Sequence, residues 1–200
     1  MRIDSHQHFW RYAAAEYNWI DDSMAALRRD FLPADARREM DRAGVDACIA
    51  VQARQTLEET RWLLELADAN PFVAGVIGWV DLLADDAAEQ LEPFIDHPKF
   101  VGVRHIVQAE RDDRFMLRPA FCRGISLLED RDLTYDILIY PRHLPAALEL
   151  VSRFKRQRFV LDHLAKPRIR SGEIREWENR IRDIAKCPNV CCKVSGLVTE

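Results

Sequence analysis

Apolar residues in this chain follow two alternating rhythms. Short continuous apolar runs occur around Ile3, then as ACIAVQ from Ala47, FVAGVIGWV from Phe72 and FVGVRHIV from Phe100. They recur as LTYDILIY from Leu133, RFVLDHL from Arg158 and VCCKVSG from Val190. Each has the length of a strand buried on both faces, the kind that parallel sheets use. Between them, apolar positions recur three and four residues apart, which predicts helices. Pro33 to Ala43 opens on proline and stops at Gly44, and Leu57 to Ala69 has Thr56 and Glu59 spaced as a capping box ahead of Asn70-Pro71. Further stripes run through Ala87, Leu91, Phe94 and Ile95; Phe121, Ile125 and Leu128; Leu144, Leu148 and Val151; and Ile174, Trp177, Ile181 and Ile184.

The chain therefore reads as strand then helix, repeated about every 30 residues, the length of one such unit. The seventh strand has no helix after it. This rhythm predicts an α/β fold with a parallel sheet, either doubly wound or a (β/α)8 TIM barrel. Two features favour the barrel. No glycine-rich phosphate loop follows the first strand, and polar residues stand at the carboxyl ends of many strands: His6 and His8, Gln52, Trp79, Arg104 and His105, Tyr140, Asp162 and His163, Ser195. A barrel gathers such ends around one mouth. The expected architecture is a single barrel domain over residues 1–200 with seven of its eight strands present. The longest stretch without periodicity, Phe9 to Leu32, carries Trp10, Tyr12, Tyr17 and Trp19. It reads either as a cover over the mouth or as a surface loop stapled by its aromatic rings.

Composition narrows the partners. With 200 residues and 48% hydrophobic content a buried core is available, and 33 acidic against 29 basic residues give a net charge of -4. That balance favours neither nucleic acid nor an anionic membrane. No apolar run approaches a membrane span, and the first residues lack a signal peptide's apolar stretch, so cytoplasmic residence is the expectation. The five cysteines form no C-x-x-C pair and are expected to be reduced packing groups. The composition leaves the number of subunits open.

The chemistry centres on histidine. Side chains alternate along a strand, so Asp4, His6 and His8 are expected on one face, where two imidazoles could converge on one ion. An isolated H-x-H is a weak signal. It is strengthened by His105 and His163, each at the end of its own predicted strand, so that three strands bring four imidazoles to one mouth. His97 precedes the fourth strand and has no expected role; His143 is read as a loop residue.

Taken together, IDSHQHFW, GVRHIVQ, LDHLAKP and KVSGLVTE resemble the amidohydrolase-2 branch of the amidohydrolase superfamily, in particular bacterial sugar-lactone hydrolases of the L-fuconolactonase and L-rhamnonolactonase type. The likeness runs from Ile3 to Glu200. It implies a barrel that hydrolyses the ester bond of a cyclic aldonolactone such as L-fuconolactone in carbohydrate catabolism. His6, His8, His105 and His163 take the catalytic positions. A sugar lactone displays hydroxyls that Gln52, Lys166 and Arg104 could bind and an apolar ring face that Trp79 could cover, although Trp79 also reads as core and Lys166 as a surface residue. His6, His8 and His163 are the set that would hold one divalent ion such as zinc. A metal-independent site is the open alternative. The resemblance also implies an eighth strand with a G-S-D-W-P element whose aspartate prepares the water; the sequence stops at Glu200, so these residues are expected to be part of a longer, active protein. Other readings are a different reaction of the same branch, hydrolysis of an aromatic-pathway lactone or metal-dependent decarboxylation, or a non-catalytic barrel that binds a sugar acid. Carboxylate substrates call for convergent arginines, and the sequence offers only Arg54 and Arg104 near strand ends.

Overall fold

The computed structural model describes residues 1–198 and 200. Seven strands follow one another in hydrogen-bonded order from β1 to β7: β1 Ile3–Gln7, β2 Ala47–Val51, β3 Val73–Gly78, β4 Phe100–His105, β5 Thr134–Ile137, β6 Phe159–Leu161 and β7 Val190–Cys192. All seven fall within the apolar runs that predict them. Six α-helices lie in the connections among the described residues: α1 Pro33–Ala43, α2 Leu57–Ala69, α3 Ala87–Ile95, α4 Pro119–Glu129, α5 Leu144–Arg153 and α6 Arg175–Ile184. No described helix is long and apolar enough to cross a membrane.

Two compact units divide the chain. The first comprises Met1–Trp79 with His97–Phe100. Its strands are parallel, with Ile3 opposite Ala47 and Ile49 opposite Gly75, and β1 shifts register between Asp4 and Gln7. Cys48, Ala50 and Val51 are fully buried, as expected for a strand covered on both sides, and so are Leu63 and Ala67 of α2, which packs on β3. The predicted helix ends are chemical. Pro33 occupies the first turn of α1, Asp35 accepts the Leu32 N–H at 3.1 Å, and Gly44 leaves the helix at φ 65°. Thr56 caps α2 by accepting the Glu59 N–H at 3.1 Å.

The stretch from Phe9 to Leu32 is held by its rings. Trp10 and Phe31 pair their backbones, and Trp10, Tyr17 and Ile20 bury themselves with Ala53 just beyond β2. Arg54 meets Glu16 at 2.6 Å, and buried Glu59 accepts the Ala53 and Arg54 N–H groups at 3.0 and 2.6 Å. One carboxylate thus ties the end of β2 to α2 while the neighbouring arginine ties it to the aromatic loop.

The second unit comprises Val80–Asp96 and Val101–Glu200. Here β4, β5, β6 and β7 pair in parallel, with Arg104 opposite Asp136 and Leu161 opposite Cys192. Tyr135, Ile137, Phe159 and Leu161 are buried, as are Phe121, Ile125 and Leu128 along α4. Gly124 lets α4 approach the Leu82 backbone closely: a Cβ there would land on the Leu82 carbonyl oxygen and 2.6 Å from its Cβ. Alanine ordinarily gains about 1 kcal/mol over glycine in a helix. Because backbone cannot swing aside, overpacking of about 1–3 kcal/mol outweighs that gain, and Gly124→Ala is expected to lower the thermal midpoint. A raised midpoint would show that α4 can slide away from Leu82.

Candidate functional site

In the first unit the two histidines of IDSHQHFW face each other. His6 Nε2 and His8 Nε2 lie 3.1 Å apart, with the rings edge to face and half-buried. His8 Nδ1 stands 2.7 Å from the Val51 carbonyl at the end of β2. A carbonyl only accepts, so that ring nitrogen carries the proton and the Nε2 lone pair is presented toward His6. Two nitrogens at this spacing fit two bonds of about 2.1 Å to a single divalent ion, and an imidazole oriented by a backbone carbonyl is how such ligands are ordinarily held.

Gln52 follows β2 and is fully buried, its backbone N–H bonded to the Ile77 carbonyl at 2.9 Å. Trp79 follows β3. Thr60 clasps its backbone on both sides, accepting its N–H and donating to its carbonyl, each at 2.8 Å. The indole N–H has no hydrogen-bond partner among the described residues.

In the second unit the strand ends carry charge. Arg104 Nη1 lies 3.0 Å from Asp162 Oδ2, and Lys193 Nζ lies 3.0 Å from Asp162 Oδ1. Lys193 also pairs with Asp136. Successive strand residues point to opposite sides, so Arg104 and His105 part company. Arg104 joins this charged group, while His105 stacks on Phe115 and meets Phe121 of α4 edge-on, its Nε2 2.9 Å from Glu110. The structure therefore does not bring His105 together with Arg104. Burial holds the His105 pKa below the ordinary imidazole value, against the pull of Glu110.

His163 and Lys166 sit on an unusual turn. His163, Leu164, Ala165 and Lys166 have φ of 54°, 53°, 56° and 51°, four consecutive non-glycine residues in the left-handed region. That conformation costs about 1–2 kcal/mol per residue. Its strain is offset by fixed contacts: Lys166 N–H to the His163 carbonyl at 2.8 Å and the Trp177 indole N–H to the Leu164 carbonyl at 2.6 Å. His163 Nδ1 lies 2.9 Å from Ser195 Oγ. Gly196 makes room for that ring, since a Cβ there would come within 2.7 Å of it. Lys166 lines a cavity of about 310 Å³ with Tyr140, Arg142 and Arg168. The two arginines are engaged by Asp113 and Glu173, each at 2.8 Å.

Sequence reasoning marked Asp162 only as a polar strand end and passed over Asp136 and Lys193. The signal was one charge inside each of two otherwise apolar runs, LTYDILIY and VCCKVSG. Burial and the nearby Asp162 push the Asp136 carboxyl up to about 6, with Lys193 pulling it back only in part.

The amidohydrolase family model matches residues 3–200. The L-fucono-1,5-lactonases of Burkholderia ambifaria and Burkholderia multivorans are each 42% identical, over 199 and 206 residues, covering all of this chain and 69% of theirs. An amidohydrolase from Burkholderia multivorans, solved with bound zinc, superposes with a TM-score of 0.95 at 42% identity, over 100% of this chain and 71% of that one. Amidohydrolase 2 from Bifidobacterium longum subsp. infantis, 22% identical, shares the fold with a TM-score of 0.75, over 98% of this chain and 73% of its own. The fold class is that of the α/β barrel, with seven strands of the (β/α)8 pattern described.

His105 gives a pH test of its surroundings. Its folded pKa is depressed, so the stability it contributes is present above the unfolded value of about 6.5 and is lost as pH falls through the folded value. Asp136, with a raised folded pKa, works in the opposite direction, so wild type and variant must be compared. The urea midpoint of His105→Gln is expected to fall less steeply from pH 7 to 5 than that of wild type. Parallel profiles would show that His105 takes up its proton over the same pH range folded as unfolded, so that burial does not depress it.

Proposed function

The chain belongs to the amidohydrolase family, and from that premise we propose that it hydrolyses an aldono-1,5-lactone, such as L-fucono-1,5-lactone, to the sugar acid. The observation that carries this reading is the 42% identity, along the whole chain, to L-fucono-1,5-lactonases.

Lactone hydrolysis needs three things. A water oxygen bonds to the ring carbonyl carbon, the carbonyl oxygen takes up negative charge, and the ring C–O bond breaks with a proton passing to the departing oxygen. Arg104 is suited to the second, because its guanidinium always carries charge and Asp162 fixes its direction. In a metal-independent site His163, oriented by Ser195, is suited to proton movement. Gln52 and Lys166 offer donors to the sugar hydroxyls, and Trp79 an apolar plate for a ring face. His105, packed between Phe115 and Phe121, anchors the end of β4 from the other side of Arg104.

His6, His8 and His163 are the residues that would hold a divalent metal, and zinc in a 42% identical relative supports that ion. Bound there, it would supply Lewis-acid polarisation of the substrate or its water. The close facing of His6 Nε2 and His8 Nε2 is the observation that fits it.

The test is acid release, followed with a pH indicator, from a panel of aldonolactones that includes L-fucono-1,5-lactone. Hydrolysis above the spontaneous rate is expected, with His163→Ala about 100-fold slower or worse and Arg104→Lys about 100-fold slower. Unchanged rates in both variants would remove the site assignment. Chelation followed by zinc restores the rate if the histidines hold a required ion; a rate indifferent to chelation marks a metal-independent site.

A further inference from the structure

The side of a barrel strand that faces away from the helices is normally filled by branched apolar residues. The second unit breaks that pattern on β4 and β5 and at the positions immediately after β6 and β7. Arg104 on β4, Asp136 on β5, Asp162 after β6 and Lys193 after β7 are 2%, 0%, 0% and 8% exposed. They form a neutral set of two cations and two anions. Lys193 Nζ joins the two carboxylates, pairing with Asp136 Oδ2 and, at 3.0 Å, with Asp162 Oδ1. Arg104 takes the other Asp162 oxygen at 3.0 Å. The second Asp136 oxygen, Oδ1, is buried with no hydrogen-bond partner among the described residues.

Stability is a weak explanation for such a group. Desolvating charges offsets most of their mutual attraction, and well-packed apolar replacements are often as stable or more so. What the arrangement does provide is direction. Each Asp162 oxygen is taken by a different cation, which fixes the carboxylate plane. Without Lys193, Asp162 keeps the Arg104 contact but loses the cation 3.0 Å from Oδ1, one of the two that set the carboxylate's orientation and with it the aim of the guanidinium. Asp162 also immediately precedes the left-handed turn that begins at His163.

We infer that Lys193, held in place by Asp136, is a positioning residue that acts through Asp162 to aim the Arg104 guanidinium. The inference rests on the reading of Arg104 as the group that meets the lactone carbonyl. In this inference neither Lys193 nor Asp136 contacts the substrate.

Three variants test it: Lys193→Met, Lys193→Arg, and the charge-neutral pair Asp136→Leu with Lys193→Met. Two measurements apply to each, kcat and KM on the lactone that wild type hydrolyses, and the substrate-free ¹H–¹⁵N Nε resonance of Arg104, assigned by its loss in Arg104→Lys. Lys193→Met is expected to lower kcat about 10- to 100-fold, as loss of a supporting partner typically does, while KM changes much less. The double variant is expected to recover the wild-type thermal midpoint without recovering kcat, and Lys193→Arg to retain most of it. The Arg104 resonance moves in Lys193→Met and in the double variant. If Lys193→Met does not fold, the double variant carries the test. Wild-type kcat in the folded double variant, or an unmoved Arg104 resonance, overturns the inference. If wild type hydrolyses no lactone, the proposed function fails by itself, and the resonance still decides whether Lys193 aims Arg104.

Discussion

A parallel strand must satisfy its backbone through neighbours on both edges while its side chains alternate between two faces, and that alternation sorts the polar residues the strands carry. On β4 the consequence is sharp. Arg104 and His105 are adjacent in sequence, yet one enters a buried ionic group and the other an aromatic pocket against Phe115 and Phe121. Both environments are buried, and each suits the residue it holds. An arginine among the phenylalanines would be a buried charge beside a single glutamate, and an imidazole beside Asp162 would lack the fork of donors.

The polar groups near the strand ends are held by rigid partners. His8 leans on the Val51 carbonyl, Trp79 is clasped by Thr60, and Asp162 is gripped by two cations. The most costly device is the left-handed turn from His163 to Lys166. Residues without glycine's freedom adopt this conformation only where the surroundings impose it, and here the Trp177 indole and the close approach of Gly196 do so. The turn aims an imidazole and an ammonium three residues apart, which a regular strand or helix at that point would direct otherwise. Strain is therefore concentrated on the four consecutive residues that carry these two groups.

Most of the architecture was legible in the chain. Seven apolar runs became seven strands, and Pro33, Gly44, Thr56 and Glu59 mark helix ends because their effect is local: a missing N–H, a positive φ, a side-chain oxygen within reach of the first turn. The pairing of His6 with His8 was legible for the same reason, being two residues apart on one strand. Asp136 and Lys193 were not. A single charge inside an apolar run looks like an interruption until the partner is known, and the partner lies 57 residues away. The loop from Phe9 to Leu32 was half-legible: its aromatic content announced packing, but only contact with Ala53 and Arg54 shows where the rings go.

By itself, then, the sequence determined the order of strands and helices, the ends of α1 and α2, and the residue types available for chemistry, since each depends on neighbours a few positions apart. Tertiary structure alone decided which of Arg104 and His105 meets the charged group, that Lys193 bridges two carboxylates, and that His163 leaves its strand through a strained turn. Those outcomes depend on strands far apart in the chain meeting at one register, and a buried charge finds its counter-ion only when they do.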